Sequence, residues 1–371
     1  MRNKKNHIDR PLAMLIALLV VGGALVFSSA AFGLLARGFP GVSSAVFSHI
    51  VFGIGGGVIA LLITYSIDYR TWRRFAPYLF GAAVIATALV FLPHLGFSHG
   101  GGRRWIILLG MSFQPSETLK IGIIILGAAY FAALKSRVGT FSWGLGGFLG
   151  ILALPALILV LQPDIGTLGI VSASLFAVYA AAGARLRDIC VIICIAVLCL
   201  GALVVARPYI RDRVVTFFYP AQDQQAGGYQ IKQSLIAIGS GGLTGRGLGQ
   251  GVQKFTYLPE AMGDSIFAVA GEELGFIGSI AIVLAFLLFA LRGLSLSGKA
   301  PDLFGGLLAV GISTYLASEA FINIAAMVGA APLTGIPLTF ISQGGSAMLV
   351  SLASAGILLN ISKHRSARHD V

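Results

Sequence analysis

The sequence predicts an all-α protein that crosses a membrane many times. Only 11% of its 371 residues are charged, whereas soluble domains carry roughly 25%. Hydrophobic residues make up 57% of the chain, and its mean hydropathy is +0.90. Apolar runs of about 20 residues recur, and each is long enough to cross a hydrocarbon core of about 30 Å as a helix.

We predict ten transmembrane helices in a single integral membrane domain, residues 1–371. The predicted spans cover approximately residues 12–36, 43–67, 76–95, 117–134, 142–162, 165–183, 189–206, 265–291, 303–327 and 346–362. The corresponding regions are a terminal segment 1–11, spans one to seven in 12–206, a large loop 207–264, spans eight to ten in 265–362, and a tail 363–371.

Basic residues predict the orientation of these spans. Of the 26 Lys and Arg residues, sixteen fall in one set of connecting and terminal segments. Only four fall in the opposite short segments and span ends, and six in the long loop. Positive charge in short loops marks the cytoplasmic side. Both termini are therefore predicted to be cytoplasmic, and the loop 207–264 to be external.

The net charge of +12 does not indicate nucleic acid as a partner, because the same basic residues are explained by membrane orientation.

The three cysteines fall in one apolar run without metal-ligand spacing, which favours a lipid-facing or packing role; they are Cys190, Cys194 and Cys199. The first apolar run is too long for a signal peptide, and we expect no cleavage there.

The predicted external segments hold most of the polar motifs. They include "HGGGRRW", "FQPSETLK", "LQPDIGT", the loop 207–264 and "GIPLTFISQGGSA". Long loops on a rigid scaffold often carry function. We therefore expect the chemistry at the outer face.

Asp264 lies where the long loop enters span eight, in "MGDSIFA". It has two possible roles. An Asp directly before a helical run is a favoured N-cap. Alternatively it is a general base, which would require burial or the neighbouring Glu260 to offset the acidifying effect of a helix N-terminus.

Glu272 and Glu273 follow inside span eight, where charged groups need a partner or a wet cavity. At 100° per residue they lie about 80° and about 180° around the helix from Asp264. They therefore cannot both line its cavity, and we expect Glu273 to be structural. The expected cationic partners are Lys120, Arg103 and Arg104.

The segment "QPSETLK" predicts a helix start, with Glu117 and Lys120 at the i, i+3 spacing of an ion pair. The pair has a structural interpretation. In the functional interpretation, Lys120 joins Arg103 or Arg104 to bind an anionic ligand. Asp164 in "LQPDIGT" similarly fits a tight turn.

The glycine-rich run "GSGGLTGRGLGQGVQK" lacks the Gly-Lys-Ser/Thr ending of a nucleotide-binding loop. It instead predicts a flexible external segment close to a ligand or to the bilayer. The loop around it is basic, which suits either a pyrophosphate or ordinary anionic lipid; its basic residues are Arg207, Arg211, Arg213, Lys232, Arg246 and Lys254. In span nine, Glu319 and Asn323 share one helix face and are expected to face protein.

Five motifs together resemble the SEDS (shape, elongation, division and sporulation) family: "GGRRW…FQPSETLK", "LQPDIGT", "GYQIKQSLIAIGSGGLTGRGLGQGVQKFTYLPE", "DSIFAVAGEELGFIG" and "GIPLTFISQGGSA". The resemblance covers roughly residues 75–362, and the motifs occur in the family's order. "GLGQGVQKFTYLPE" looks more like the FtsW branch than the RodA branch.

This resemblance implies a ten-span peptidoglycan glycosyltransferase of the bacterial cytoplasmic membrane. Its substrate would be lipid II, a disaccharide-pentapeptide on undecaprenyl pyrophosphate, and its partners a class B penicillin-binding protein and other division or elongation proteins. Asp264 matches the family's essential carboxylate. Glu117 and Lys120 match its span-four pair, and Asp164 matches its "QPD" aspartate. With Asp264 as base, a single displacement would proceed with inversion.

The remaining site expectations follow from this chemistry. The departing pyrophosphate would be stabilised by basic residues, namely Arg103, Arg104, Lys120, Arg213, Lys232, Arg246 and Lys254. Glu117, Asp164, Glu260 and Glu272 would support them. A divalent cation, Mg²⁺ or Mn²⁺, could share the task, although no ligand set is evident.

The chain departs from the family pattern at three places: it has "MGD" for "HTD", "SQGGS" for "SYGGS", and Glu319 where Gln is usual. Two other functions stay open. Intramembrane charges and a basic outer loop also suit a transporter that flips lipid II. The altered "MGD" would suit a non-catalytic division scaffold.

Overall fold

The computed structural model describes residues 8–364 except 39–40, 94, 100–101, 109–110, 221–222 and 224–226. The predicted terminal segments therefore lie mostly outside the described residues. The helices are α1 (Arg10–Leu35), α2 (Val42–Phe47), α3 (Gly56–Ser66), α4 (Tyr69–Ala88), α5 (Pro115–Leu134), α6 (Gly146–Leu161), α7 (Ile165–Ala181), α8 (Leu186–Ala206), α9 (Pro208–Phe218), α10 (Gly227–Ser240), α11 (Gln253–Thr256), α12 (Ile266–Ser297), α13 (Leu303–Met327) and α14 (Gly345–Lys363).

Short capping signals set several helix starts. Asp9 accepts a hydrogen bond from the Leu12 N–H at 3.0 Å, and Asp302 accepts one from the Gly305 N–H at 2.7 Å. Each satisfies a backbone donor that has no partner inside its helix. Pro115 opens α5, where the missing N–H of proline costs nothing.

The membrane-spanning pattern agrees closely with the sequence. In the described part of the chain, nine helical stretches are long and apolar enough to cross a membrane. A π-helical stretch, Ser48–Gly55, joins α2 and α3 into one of them. The one predicted span not among these nine is the sixth, at 165–183, which is found as α7, an apolar helix of 17 residues.

The centre of the bundle is formed by α5, α7, α13 and α14. Helix α13 packs on α5, α7 and α12, and α14 packs on α3. Helix α8 lies at the periphery, with Leu198 71% and Val205 86% exposed. Its three cysteines are also exposed and carry no disulfide, which agrees with the predicted lipid or packing face.

A small antiparallel sheet, not predicted from the sequence, joins α4 to α5. Its strands are β1 (Gly96–His99), β2 (Gly102–Leu108) and β3 (Met111–Phe113), in the order β1-β2-β3. A β-carbon at Gly96 would lie 2.0 Å from the Val90 carbonyl oxygen, so only glycine lets β1 pack against the end of the preceding span.

Helix α12 is broken at Gly275, whose φ of 68° and ψ of −165° are not helical. The 22 residues after it are about 33 Å long, enough to cross the hydrocarbon core alone. The first nine residues of α12 thus form a separate short helix that continues from the loop 207–264.

The glycine-rich segment fills this break. The Arg246 N–H donates to the Glu272 carbonyl, and the Gly247 N–H donates to the Glu273 carbonyl, both at 3.0 Å. In return, the Phe276 N–H donates to Gly242 O at 2.9 Å. These bonds satisfy backbone groups that the break would leave unpaired.

The expectation of a flexible segment is therefore wrong. The close approach explains two glycines: a β-carbon at Gly245 would lie 2.1 Å from the Glu273 carbonyl oxygen, and one at Gly275 would lie 2.2 Å from the Gly245 nitrogen. A side chain at either position would push the two backbones apart.

Candidate active site

Asp264 lies at the end of the long loop 207–264, two residues before α12. The residue that flanks the helix is Ser265, and no side chain caps the helix start. The N-cap interpretation of Asp264 is therefore wrong, and its carboxylate is not committed to a helix N–H. This removes the conflict between capping and acting as a base.

The backbone around Asp264 is held by two other parts of the chain. Asn323 on α13 donates through Nδ2 to the Asp264 carbonyl at 2.9 Å and to the Ile336 carbonyl at 2.8 Å. Ser342 Oγ donates to the Gly263 carbonyl at 2.8 Å. Asn323 thus joins the loop before α12 to the segment that follows α13.

Arg213, on helix α9, faces the same space as Asp264. A β-carbon at Gly335 would lie 3.7 Å from Asp264 Oδ2 and 3.9 Å from Arg213 Nη2. Gly335 is itself exposed and has φ +72°. Its lack of a side chain leaves room above the carboxylate and the guanidinium. Arg213 is fixed by a 2.7 Å hydrogen bond from Nη1 to the Leu333 carbonyl.

The surroundings raise the pKa of Asp264 to about 7 from its usual 3.8. Burial of the carboxyl among protein atoms is the largest cause, although the side chain keeps partial solvent access. The Glu260 carboxylate adds to the rise, and Arg213 and Arg104 oppose it. A carboxylate with a pKa near the working pH is well matched to general base catalysis.

Arg104 reaches the site from β2. Its Nη2 donates to the Pro163 carbonyl, and its Nη1 lies 3.8 Å from Asp164 Oδ1. Asp164 caps α7 by accepting from the Thr167 N–H at 3.3 Å and the Thr167 hydroxyl at 2.9 Å. The aspartate therefore holds a helix start and a neighbouring cation together.

Arg103 does not join Arg104. Arg103 is exposed on β2, whereas Arg104 is partly buried and donates to the Pro163 carbonyl. Arg104 is the one of the two whose charge acts on Asp264, and a ligand contact by Arg103 stays a prediction.

Lys120 is also unavailable to an external anion. Its side chain is 2% exposed, and its Nζ lies 2.8 Å from Glu117 Oε2. It also forms an ion pair with Glu319 from α13. The predicted Glu117–Lys120 pair is confirmed, but the second carboxylate makes this a cluster inside the bundle rather than a surface site.

Glu272 binds the loop 207–264, not the predicted cations of the earlier spans. Its Oε1 accepts from the Val252 N–H at 2.8 Å, and its Oε2 from the Gln253 N–H at 3.1 Å. Arg246 Nε lies 3.7 Å from Oε1. This side chain thus fixes the loop that follows the glycine-rich segment.

Glu273 forms a buried ion pair with Lys254, with Nζ and Oε1 2.5 Å apart and both side chains inaccessible to solvent. Ser29 on α1 donates to the same Oε1 at 2.7 Å. The expected partners of Glu273 were wrong, but its structural role agrees with this geometry. Lys254 is not free to meet a pyrophosphate.

The structure therefore separates the predicted cations into groups. Arg104 and Arg213 act electrostatically on Asp264, whereas Lys120 and Lys254 lie in buried pairs. Lys232 is exposed on α10, and Arg246 is exposed beside Glu272.

Sequence reasoning missed the parts of the site that come from the segment after α13. Gly335 and Ser342 lie in "GIPLTFISQGGSA", which was identified as an external motif without an assigned contact. Asn323 was expected only to face protein. Its i, i+4 spacing from Glu319 predicted that the two side chains share a helix face, but it did not predict the hydrogen bond from Asn323 to the Asp264 carbonyl.

The described residues do not provide a cluster of protein ligands for the predicted divalent cation. In the part of the chain that the structure describes, no three His, Cys, Asp or Glu side chains group closely enough to hold a metal ion. Mg²⁺ is often bound by one or two carboxylates together with substrate phosphates, and Asp264 with Glu260 could supply that number. The cation stays a prediction.

Comparison with known proteins finds similarity over the whole chain. Residues 10–367 match the model of the FtsW/RodA/SpoVE family, described as cell cycle proteins. The chain is 36% identical to stage V sporulation protein E of Bacillus subtilis over 98% of this chain and 99% of that protein. It is 39% identical to the probable peptidoglycan glycosyltransferase FtsW of Geobacter sulfurreducens over 95% of this chain and 94% of that protein.

A solved structure has the same fold. It is a chain of a peptidoglycan synthase complex that coordinates polymerization and crosslinking, and it superimposes with a TM-score of 0.81 at 25% identity. The match covers 97% of this chain and 99% of that chain.

Proposed function

This chain belongs to the FtsW/RodA/SpoVE family of cell cycle proteins, and from that membership we infer that it is a peptidoglycan glycosyltransferase that polymerises lipid II. Relatives that carry this activity in their names align over nearly their full length. The observation on which the chemistry depends is Asp264, a carboxylate with a pKa of about 7 beside two arginines.

We propose that the protein crosses the bacterial cytoplasmic membrane ten times, with α7 as the span that is 17 residues long. The excess of basic residues in one set of connections supports cytoplasmic termini. The loop 207–264 then lies outside, and the first helical segment of α12 extends it. This topology places Asp264 at the outer face, where lipid II would be presented.

In the proposed reaction, Asp264 accepts the proton of the acceptor GlcNAc hydroxyl while that oxygen attacks the anomeric carbon of a MurNAc. The bond to undecaprenyl pyrophosphate breaks in the same displacement, so the anomeric centre inverts. Partial burial keeps the carboxylate basic enough for this transfer at neutral pH. Asn323 would keep it in place through the backbone.

The departing pyrophosphate carries the developing negative charge. Arg213 and Arg104 are the cations whose fields reach Asp264, and both are partly buried, where charge stabilisation is stronger than in water. Both are already fixed by carbonyl contacts, which reduces the reorganisation needed during reaction. Lys232 and Arg246, exposed on the same loop, are proposed to attract the lipid headgroup at longer range.

We propose that the chain works with a class B penicillin-binding protein. Its likeness to a chain of a peptidoglycan synthase complex supports a transpeptidase partner. Other division or elongation proteins and membrane lipids complete the proposed set of partners.

The test is polymerisation of labelled lipid II by the purified full chain with its cognate transpeptidase, scored as a ladder of glycan strands. We expect polymer from the wild-type protein and none from Asp264→Ala. Asp212→Asn is the matched control, because Asp212 is an acidic residue of the same loop whose side chain is 71% exposed.

Each other result has a definite meaning. Polymer made by a correctly folded Asp264→Ala protein would show that this carboxylate is not the base. If the wild type moves lipid II across liposomes without polymerising it, the transporter function replaces ours. Neither activity, with normal recruitment of the transpeptidase, would favour a division scaffold.

A further inference from the structure

The arginine of α9 that borders the candidate active site has no acidic partner. Arg213 is partly buried, and in the described part of the chain no carboxylate forms an ion pair with it. Its Nη1 donates to the Leu333 carbonyl at 2.7 Å. A single contact at one nitrogen leaves the plane of the guanidinium free to turn. A second group is therefore needed to give the side chain one orientation.

The ring of Tyr209 supplies this second contact. Tyr209 lies one turn before Arg213 on α9, at the i, i+4 spacing that brings two side chains of a helix together. The Arg213 Cζ atom lies 4.5 Å from the centre of the Tyr209 ring, inside the range of about 6 Å for a cation–π contact. Such a contact strengthens as water is excluded, and both side chains are partly buried. The ring and the Leu333 carbonyl together define the plane of the guanidinium.

The hydroxyl of Tyr209 takes no part in this arrangement. The hydroxyl oxygen is buried and has no hydrogen-bond partner among the described residues. An unpaired buried hydroxyl destabilises a folded protein, so the ring is the part of the side chain that the fold uses. Phenylalanine would present the same ring face to Arg213. Tyr209→Phe therefore keeps the contact and removes only the unpaired group.

Helix α9 is itself attached to the elements around the site, which fixes the position of the Tyr209 ring. The Thr216 hydroxyl donates to Asp223 Oδ2 at 3.1 Å, and the Gly228 N–H, at the start of α10, donates to the same oxygen at 3.1 Å. Helix α10 packs in turn on α12, the helix that follows Asp264. These contacts connect the helix that carries Tyr209 with the helix that begins beside the candidate base.

The open edge of the guanidinium borders the candidate active site. A β-carbon at Gly335 would lie 3.9 Å from Arg213 Nη2 and 3.7 Å from Asp264 Oδ2, so both groups border the space that this glycine leaves open. Arg104 repels the guanidinium, whereas Asp264 and Asp164 attract it. Because these opposing fields come from three different parts of the chain, they do not by themselves select one orientation of the side chain.

We propose that Tyr209 is a positioning residue, whose ring holds the Arg213 guanidinium with Nη2 turned towards the space above Asp264. This inference rests on the proposed function, in which Arg213 stabilises the departing pyrophosphate. The ring keeps the guanidinium in one orientation before the reaction begins, so less reorganisation is needed in the transition state. Tyr209 itself touches neither the base nor the leaving group and acts through Arg213 alone.

The order of the Arg213 side chain tests the contact without turnover. The full-length protein with isotope-labelled arginine is purified in detergent, and the NMR signal of the Arg213 Nε–H group is identified by its loss in Arg213→Gln. We expect an order parameter of about 0.85 in the wild type and in Tyr209→Phe, and below about 0.6 in Tyr209→Leu.

Tyr219→Leu is the matched control, because Tyr219 is a 60% exposed tyrosine of the same loop, and it should leave the order of Arg213 unchanged. An Arg213 that stays ordered in a folded Tyr209→Leu protein would overturn the proposal. A disordered Arg213 in the wild type would also overturn it, whatever the folding of the variants.

Polymerisation of lipid II tests the consequence for the reaction. Tyr209→Leu should lower kcat about tenfold and leave KM nearly unchanged, because the lost orientation matters in the transition state. The factor is equivalent to about 1.4 kcal/mol, between the values for exposed and water-excluded cation–π contacts. Tyr209→Phe should keep the wild-type rate. In an Arg213→Gln protein, Tyr209→Leu should change kcat by less than about twofold, because the two residues act as one unit.

Two kinetic results would refute the positioning role: a similar tenfold loss in both backgrounds, or a Tyr209→Phe protein as slow as Tyr209→Leu. A wild type that makes no polymer would count against the proposed function, and the order of Arg213 would then decide the Tyr209 contact on its own.

Discussion

Replacing Glu260 by Gln should allow the enzyme to work at lower pH. The Glu260 carboxylate is the second largest cause of the raised pKa of Asp264, after burial. Gln keeps the length of the side chain and removes its charge. The backbone carbonyl of Glu260, which accepts from the Gly263 N–H at 3.0 Å, is retained.

The size of the effect follows from the position of Glu260. The residue is exposed, so solvent screening limits its influence to about one pKa unit, or about 1.4 kcal/mol. The pKa of Asp264 would then fall from about 7 to about 6. At pH 6 the ionised fraction rises from about one-tenth to about one-half. At pH 8 it exceeds about nine-tenths in both proteins, so the gain disappears.

The assay is the initial rate of lipid II polymerisation at limiting substrate, measured from about pH 5 to about pH 9. Under that condition the acid limb of the profile reports the ionisation of the free enzyme. We expect a gain of up to about fivefold at pH 6, reduced by the lower basicity of the carboxylate. Asp212→Asn is the control for a general change in loop charge.

Two results would refute this reasoning. A midpoint that stays in place in Glu260→Gln would mean that the acid limb does not report Asp264, or that the two carboxylates are not coupled. A midpoint that moves to higher pH would mean that Glu260 stabilises the ionised form, contrary to the geometry.

Three further variants test the surroundings of the site. Asp264→Asn should raise the free energy of unfolding in detergent more at pH 8 than at pH 5, by at most a few kcal/mol, and the Tm with it. A folded pKa above the unfolded value makes the stability of the wild type fall as pH rises from about 4 to about 7; a larger gain at pH 5 would contradict the raised pKa. Lys254→Met should cost about 3–5 kcal/mol by leaving Glu273 unpaired in the interior. Adding Glu273→Gln should restore most of the Tm, and simple additivity would argue against the pair. Gly245→Ala should lower the Tm and expose the loop to protease. Gly249→Ala has the same φ of +82° but nothing within 4 Å of its β-carbon, so it should cost only about 1–2 kcal/mol of backbone strain. Equal effects of the two would contradict the packing of the segment.

The fold was predictable where local chemistry decides it. Span nine was predicted at 303–327 and is found at Leu303–Met327, because Asp302 caps its start and the apolar run sets its length. The proximity of Asp264 and Glu260 also followed from four residues of separation. These features depend on neighbours in the chain.

The errors came from contacts between distant segments. Glu272 and Glu273 were assigned cationic partners in earlier spans, but they bind the loop about 20 residues before them. Nothing in the run "EELGFIG" indicates that Gly275 leaves the helical conformation, because the bonds that stabilise the break come from Gly242 to Gly247. Arg103 and Arg104 were treated alike because the strand that leaves Arg103 exposed and Arg104 partly buried was not predicted.

The break at Gly275 also has a consequence for how the loop can change in evolution. Hydrogen bonds join the segment that begins at Gly242 to Glu272, Glu273 and the residues after them. One residue inserted between Gly242 and Glu273 would therefore move the glycines of the loop out of line with the carbonyl groups that they contact. An insertion near residue 219, before α10, would leave that register intact. Length differences among homologous chains are therefore expected in the first part of the loop 207–264, while the number of residues from Gly242 to Gly275 stays constant.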